Sequence, residues 1–208
     1  MGDYSQNTEN TQTLLDLKSD PFDLFTDWME EAEVSEPSDA NAMVLATCTP
    51  DGHPSLRVVL LKGVDRNGFV FYTNKESRKG LELAENPFVS LLFHWKSLRR
   101  QIRIEGAVSP VSEQEADLYF ASRSRMSRLG AVASDQSRPL ENREIFKKRI
   151  QEAEERYEGQ QVPRPANWSG YRVKPSAFEF WQERPYRLHD RARWTPEANT
   201  WSATRLYP

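Results

Sequence analysis

Several short stretches of this sequence combine residue types that could hold an anion. Tyr119, Arg123 and Ser127 are spaced by four and four, which on one helix would align a phenol, a guanidinium and a hydroxyl over two turns. A phosphate accepts a pair of bonds from arginine and single bonds from hydroxyls, so such a row could clamp one. Taken alone, the spacing fits an exposed helix face whose tyrosine packs on the domain better than it fits a clamp. Ser77, Arg78 and Lys79 stand where a short helix is predicted to begin, and unpaired backbone N–H groups there favour a phosphate. In the run Arg187, Leu188, His189, Asp190, Arg191, strand alternation would place Arg187, His189 and Arg191 on one face. An anionic or aromatic ligand would relieve their repulsion, and so would carboxylates on a neighbouring strand; the two readings stand equal. Arg57 and Lys62 flank Val58, Val59, Leu60 and Leu61, and alternation sends the two cations to opposite faces unless a bulge intervenes. His53, in the turn at Asp51-Gly52, and His94, beside Trp95 in an apolar strand, read as structural.

The elements that must carry these residues follow from periodicity and turn chemistry. Asp20 as N-cap and Pro21 at the first helical position predict a helix with Phe22, Phe25, Trp28, Met29 and Ala32 on one face, ending before Pro37. Strands are expected over 42–49 and 56–63, joined by the turn Pro50-Asp51-Gly52. A second turn at Asn67-Gly68 leads into 69–73, and a short helix runs from Ser77 to before Asn86-Pro87. Further strands are read at 89–95 and 101–108. Ser112 and Glu115 form a capping box for a helix through Leu118, Tyr119 and Ser122, and a charged helix spans 141–157. Strand-like segments at 170–173, 177–182, 187–194 and 201–206 complete an antiparallel domain of α+β class. Residues 1–19 read as a disordered polar tail and 20–208 as one domain.

Composition bounds the function. A chain of 208 residues can bury roughly 70% of its unfolded surface in one domain without a staple, and its single cysteine, Cys48, cannot form an internal disulfide. The N-terminal residues carry neither a basic nor an apolar signal region, and the cytoplasm is the expected location. With 28 Lys and Arg against 31 Asp and Glu, the net charge is −3, so no global field draws the protein to nucleic acid. Glycine-rich phosphate loops, hydrolase elbows and zinc motifs are all missing from the sequence, and no metal is expected.

An ordered series of motifs adds to these readings: RVVLLK at Arg57, FYTNKESRKG at Phe71, RRQIRIEG at Arg99, YFASR at Tyr119, SDQS at Ser134, VPRPANW at Val162, and EFWQ at Glu179 followed by RLHDR. From about Asp20 to Pro208 the chain resembles the pyridoxamine 5′-phosphate oxidases, the FMN enzymes of vitamin B6 salvage. The resemblance implies an FMN-binding split β-barrel, antiparallel and Greek-key-like with peripheral helices, forming a homodimer with FMN between subunits. It implies a flavin site of Arg57, Val58, Val59, Leu60, Leu61, Lys62, Tyr72, Thr73, Arg78, Lys79, Gln101, Gln136, Ser137, Trp181 and Arg191. The substrate phosphate would meet Lys62, Tyr119, Arg123 and Ser127. Arg187, Leu188 and His189 would border the pyridine ring, Arg187 in an orienting and electrostatic role with His189 in support. The implied reaction oxidises pyridoxamine or pyridoxine 5′-phosphate to pyridoxal 5′-phosphate, with O2 reduced to H2O2. The chain departs from the family pattern at Glu183, Arg184, Ser124, Ser169 and Tyr207, and over Asn7 to Gln12. Two other functions share the scaffold: a non-catalytic carrier of pyridoxal phosphate, and an FMN split-barrel reductase that would not need the Tyr119, Arg123, Ser127 set.

Overall fold

A computed structural model describes residues 14–208. Helix α1 (Pro21–Ser35) begins as the sequence predicts, with the Asp20 carboxylate accepting from the Phe22 and Asp23 amides and Pro21 in the first turn. Its buried face, Phe22, Phe25, Trp28 and Ala32, lies on an aromatic core formed with Phe69, Phe93, Trp95, Phe178 and Phe180. Phe25 meets Phe69 edge-on at 4.8 Å and Phe93 at 5.2 Å, the arrangement that opposed ring quadrupoles favour.

That core fills the concave side of a nine-stranded sheet whose pairings are all antiparallel. Strands β1 (Ala42–Cys48), β2 (Pro54–Leu60), β3 (Gly63–Asp65), β4 (Gly68–Asn74), β5 (Phe88–Trp95), β6 (Arg100–Pro110) and β7 (Trp168–Gln182) run in the order β2-β1-β5-β6-β7-β4-β3. Strand β7 joins two segments that the sequence separates, 170–173 and 177–182, and it divides the sheet. Its first half pairs with β4, and its second with β8 (Asp190–Glu197), which in turn pairs with β9 (Thr200–Leu206). The division coincides with a register shift against β6 at Glu105/Gly106. Gly106 is required there, because a Cβ would lie 2.2 Å from the Lys174 carbonyl oxygen.

Helices α2 (Arg78–Glu85), α3 (Glu113–Ser122), α4 (Arg125–Ala133) and α5 (Arg143–Arg156) sit outside the sheet. α4 and α5 form a small layer of their own around Leu129, Ala153 and Val162. α5 starts two residues later than predicted, at an Asn142 cap. The last residues of the expected tail are fastened to the domain. Leu15 is buried, its amide donates to Asp190 Oδ2 at 2.7 Å, its carbonyl accepts from Arg205, and the Ser19 carbonyl accepts from Trp194. Asn7 to Gln12 fall outside the described residues. Among the described residues no helix is long and apolar enough to cross a membrane.

Three sequence expectations about the site change in the structure. Tyr119, Arg123 and Ser127 do not share a helix face: α3 ends at Ser122, Arg123 is extended with ψ 152°, and Ser124 caps a separate helix that the sequence reading lacked. Arg187 and His189 do not lie on a strand with Arg191. Pro185 to Arg187 form a tight 3-10 turn, Tyr186 and Arg187 have φ of 57° and 63°, and β8 begins only at Asp190. Strand β2 stops at Leu60, so Arg57 and Lys62 are not two ends of one strand; Lys62 lies on the link to β3, where its amide donates to the Val70 carbonyl.

Candidate functional site

All but residues 58–62 of the predicted set gather into three groups; Val58, Val59 and Leu60 lie on β2, Leu61 is buried in the core and Lys62 is on the link to β3. The first lies where β4 turns into α2. Ser77 caps that helix, and the side chain of Lys79 runs back beneath the turn, where it is buried. Its Nζ donates to Thr73 Oγ1 at 3.2 Å, Ser77 Oγ at 3.3 Å and Gln136 Oε1 at 3.2 Å, all neutral oxygens. Burial and the nearby Arg57 charge hold its pKa below the usual lysine value. Arg57 reaches the same region from β2, and Arg78 from the start of α2; both pair with Glu82. Ser137 follows Gln136 with φ 72°, exposed.

The second group is aromatic. Tyr72 stacks on Tyr119 at 3.9 Å between centroids and on Trp168 at 5.3 Å, with the planes within 14°. Gly170, opposite Tyr72 on β7, leaves room for that ring, since a Cβ there would sit 2.7 Å from it. Arg123, at the break between α3 and α4, lays its guanidinium over Trp168 at 4.9 Å and Phe120 at 5.5 Å. Its Nη1 is buried with no hydrogen-bond partner among the described residues, and burial lowers its pKa. Ser127 stands one turn into α4, bonded through its hydroxyl to Ser124. Desolvation raises Tyr72 to about 12 and also raises Tyr119, so both phenols keep their protons as donors near neutral pH.

The third group runs across the outer face of the sheet. Register places His94, Gln101, Trp181 and Arg191 side by side on β5, β6, β7 and β8. His94, read from the sequence as structural, is exposed on this face, because alternation in β5 buries its neighbours Phe93 and Trp95 and turns His94 outward. His189 packs against Trp181 at 4.6 Å, and its Nδ1 accepts from the Arg184 amide, which leaves Nε2 as the protonated nitrogen. Glu179 holds Arg191 through Oε1 at 2.7 Å. Arg187 and Leu188 are exposed at the rim.

The donor sets suit phosphorylated ligands. Lys79 offers a buried ammonium surrounded by neutral oxygens, Arg78 presents exposed guanidinium nitrogens, and Arg123 carries a buried unpartnered N–H. A phosphate dianion supplies the charge and acceptors that these groups lack.

Comparison with known proteins fits this geometry. The pyridoxamine 5′-phosphate oxidase family matches residues 29–157, and the pyridoxine 5′-phosphate oxidase C-terminal dimerisation region matches residues 168–208. The pyridoxine/pyridoxamine 5′-phosphate oxidase of Gluconobacter oxydans is 68% identical over 195 residues, spanning 94% of this chain and 98% of that protein. The chain belongs to the pyridoxine/pyridoxamine 5′-phosphate oxidase family. The family member of Sphingopyxis alaskensis is 60% identical over 192 residues, 92% of this chain and 89% of its own length. Among solved structures, PhzG from Burkholderia lata, crystallised with tetrahydrophenazine-1-carboxylic acid, aligns with a TM-score of 0.87 at 36% identity over 93% of this chain and 95% of that one. A pyridoxamine 5′-phosphate oxidase-related, FMN binding protein from Nostoc punctiforme shares the fold at 16% identity, with a TM-score of 0.72 over 93% of this chain and 100% of that one. The α+β split barrel expected from the motifs is the family fold.

Within that family frame, the structure adds residues that the sequence reading did not single out. Trp168 lies inside the quoted VPRPANW motif, yet only the fold brings it under Arg123. Glu82 stands four residues after Arg78, a helical spacing that announces their ion pair, whereas its contact with Arg57 across 25 positions is tertiary. Of the departures from the family pattern, Ser124 caps α4 by accepting from the Ser127 amide, and the Glu183 amide donates to the Arg99 carbonyl beside Trp181.

Proposed function

We propose that this chain is an FMN-dependent oxidase that converts pyridoxamine and pyridoxine 5′-phosphates to pyridoxal 5′-phosphate, the activity of its family. One observation supports the reading above others. Lys79, which is buried, and Arg123, half-buried with its Nη1 enclosed, stand on different elements and both lack a carboxylate at ion-pair distance among the described residues, which suits a phosphorylated cofactor and a phosphorylated substrate. In this reading Lys79, Arg78 and Arg57 hold the FMN phosphate together with Thr73, Gln136 and Ser137, and Tyr72, Gln101, Trp181 and Arg191 border the rest of the flavin with residues 58–62. Arg123, with Tyr119, Ser127 and Lys62, holds the substrate phosphate. His189 offers its Nε2–H to the substrate ring, and Arg187 closes over it from the turn. When bound, FMN would supply the redox chemistry: a hydride lost from C4′ and a proton lost from its hydroxyl or ammonium group make up the two electrons and two protons that reduce O2 to H2O2. With pyridoxamine phosphate, water replaces the amine and ammonia is released. The protein's own contribution is to fix C4′ against the flavin, where orientation is worth much of the acceleration.

A second copy of the chain completes the arrangement in this reading. Leu56, Val58 and Leu60 form an exposed apolar row on the edge strand β2, and residues 168–208 match a dimerisation region. A homodimer would bring the Lys79 group of one protomer toward the Trp181 group of its partner. The single Cys48 suits a cytoplasmic setting. The test is aerobic turnover of pyridoxamine 5′-phosphate by protein supplied with FMN. One pyridoxal phosphate and one H2O2 per substrate consumed support the proposal, and a flavin-loaded protein that forms neither is a carrier instead.

A further inference from the structure

We propose that Glu82 is the positioning residue of the flavin-phosphate site: its buried carboxylate locks Arg57 in place and ties Arg78 by Nε, leaving both Nη groups of Arg78 for the phosphate. The proposal rests on the reading that Arg57, Arg78 and Lys79 hold that phosphate.

Glu82 sits on α2 with its side chain 5% exposed. Oε2 accepts from Ser55 Oγ at 2.6 Å, from the Thr47 hydroxyl and from Arg57 Nη2 at 3.3 Å, while Oε1 accepts from Arg78 Nε at 2.8 Å. Donors from β1, β2 and α2 therefore converge on one carboxylate. Burial alone would raise its pKa, but the bonds from Ser55, Thr47 and Arg78 and the Arg57 charge outweigh it and push the group down to about 2. Arg57 is consumed by the same network. Its Nη1 donates to the Leu45 carbonyl at 3.2 Å and Thr47 Oγ1 at 2.5 Å, and its Nη2 to Ser55 and Glu82. Among the described residues, only its Nε–H is left without an acceptor. Arg78 is the reverse case: Nε is tied, no acceptor for its Nη groups is found among the described residues, and its side chain is 63% exposed. An Nε tie fixes the plane of a guanidinium fork and points its open edge outward, the geometry that grips phosphate through two parallel bonds.

Electrostatics and positioning make opposite demands here. A carboxylate among three cations weakens their pull on a dianion, so deleting its charge would tighten FMN if field strength were all that mattered. Positioning predicts weaker FMN.

The experiment titrates the full-length apoprotein with FMN and with riboflavin, which lacks the phosphate, following flavin fluorescence. The parent should prefer FMN to riboflavin, and Glu82→Gln should lose roughly ten- to a hundredfold in FMN affinity with riboflavin affinity unchanged. Equal or tighter FMN binding by Glu82→Gln overturns the proposal, and so does a matching loss for both flavins, which marks plain structural damage. Should Glu82→Gln not fold, Ser55→Ala carries the test. That change removes a donor to the carboxylate and an acceptor for Arg57, so FMN should weaken by about threefold or more while riboflavin does not, and an unchanged FMN preference overturns the proposal. A parent that does not distinguish FMN from riboflavin refutes instead the underlying reading that these cations hold a phosphate.

Discussion

Replacing Arg123 by Met should cost the apoprotein little stability while crippling its hold on phosphorylated substrate. Met keeps the volume over Trp168 and Phe120 but removes the guanidinium. The stability change combines two opposed effects. The buried, unpartnered Nη1 carries a desolvation penalty of about 1–3 kcal/mol that the variant relieves, and the cation–π contacts at 4.9 and 5.5 Å are worth about 0.5–2 kcal/mol that it forfeits. The net change therefore lies between about 1 kcal/mol of destabilisation and about 2.5 kcal/mol of stabilisation, so denaturant unfolding of the apoprotein should show no loss greater than about 1 kcal/mol. Phosphate recognition has no such offset. Losing one charge-assisted bond costs about 1.5–3 kcal/mol, which is roughly a ten- to hundredfold rise in Kd for pyridoxal 5′-phosphate or in KM for pyridoxine 5′-phosphate. FMN content should stay at the parental level. An Arg123→Met protein destabilised by several kcal/mol yet binding pyridoxal phosphate like the parent would show that the guanidinium serves packing, and the assignment of the substrate socket would fall.

Other outcomes follow from the same geometry. Because Glu82 ionises near 2 in the fold against an ordinary 4.5, it contributes stability that is present above about pH 4.5 and lost as pH falls toward 2, about 3 kcal/mol in all. The stability gap between the parent and Glu82→Gln, measured by denaturant unfolding of apoprotein, should therefore shrink between about pH 5 and pH 3; a constant gap would contradict the network. Burial lowers the pKa of Lys79, so its charge is lost at lower pH than a free lysine's, and FMN affinity should fall on the alkaline side ahead of the ordinary value of 10.5. Lys79→Met should remove that alkaline limb and weaken FMN at neutral pH, whereas parental affinity in the variant would exclude Lys79 from the site. Arg187→Ala, at an exposed rim, should alter stability by less than about 0.5 kcal/mol but lower turnover at saturating substrate by on the order of a hundredfold; parental turnover would end its orienting role. Leu56→Asp places a charge in the exposed apolar row of β2 outside the flavin-bordering residues, and sedimentation should then find monomers that release FMN, whereas a dimer that keeps its FMN would exclude that row as the dimer contact.

Much of this site was legible because its anchors are local. Asp20 and Pro21 announce α1, Ser77 announces α2, and Ser112 announces α3, each through a side chain that satisfies free amides at a helix start. Helix ends were harder. The row Tyr119, Arg123, Ser127 has perfect helical spacing, but α3 stops at Ser122 without a glycine or a following proline, and the only local sign of the break is the Ser124 hydroxyl capping the next helix. Part of the grouping survives, since Tyr119 and Arg123 still meet at Trp168. At the other rim, Pro185 was the available clue that Arg187 belongs to a turn, and the left-handed backbone of two non-glycine residues there cannot be read from alternation. Apart from the Arg78–Glu82 pair, the network around Glu82 and the stack on Trp168 depend on contacts between distant segments, which spacing does not encode.

The most direct test of the oxidase assignment is anaerobic addition of pyridoxine 5′-phosphate to the protein purified with its flavin. The visible flavin absorbance should be lost, one pyridoxal phosphate should form for each flavin, and admitting air should restore the absorbance with release of H2O2. Unphosphorylated pyridoxine at the same concentration should bleach far less, because nothing then engages Arg123. A bound flavin whose absorbance stays unchanged with pyridoxine or pyridoxamine phosphate, in protein that is folded and dimeric, would contradict the assigned oxidase function.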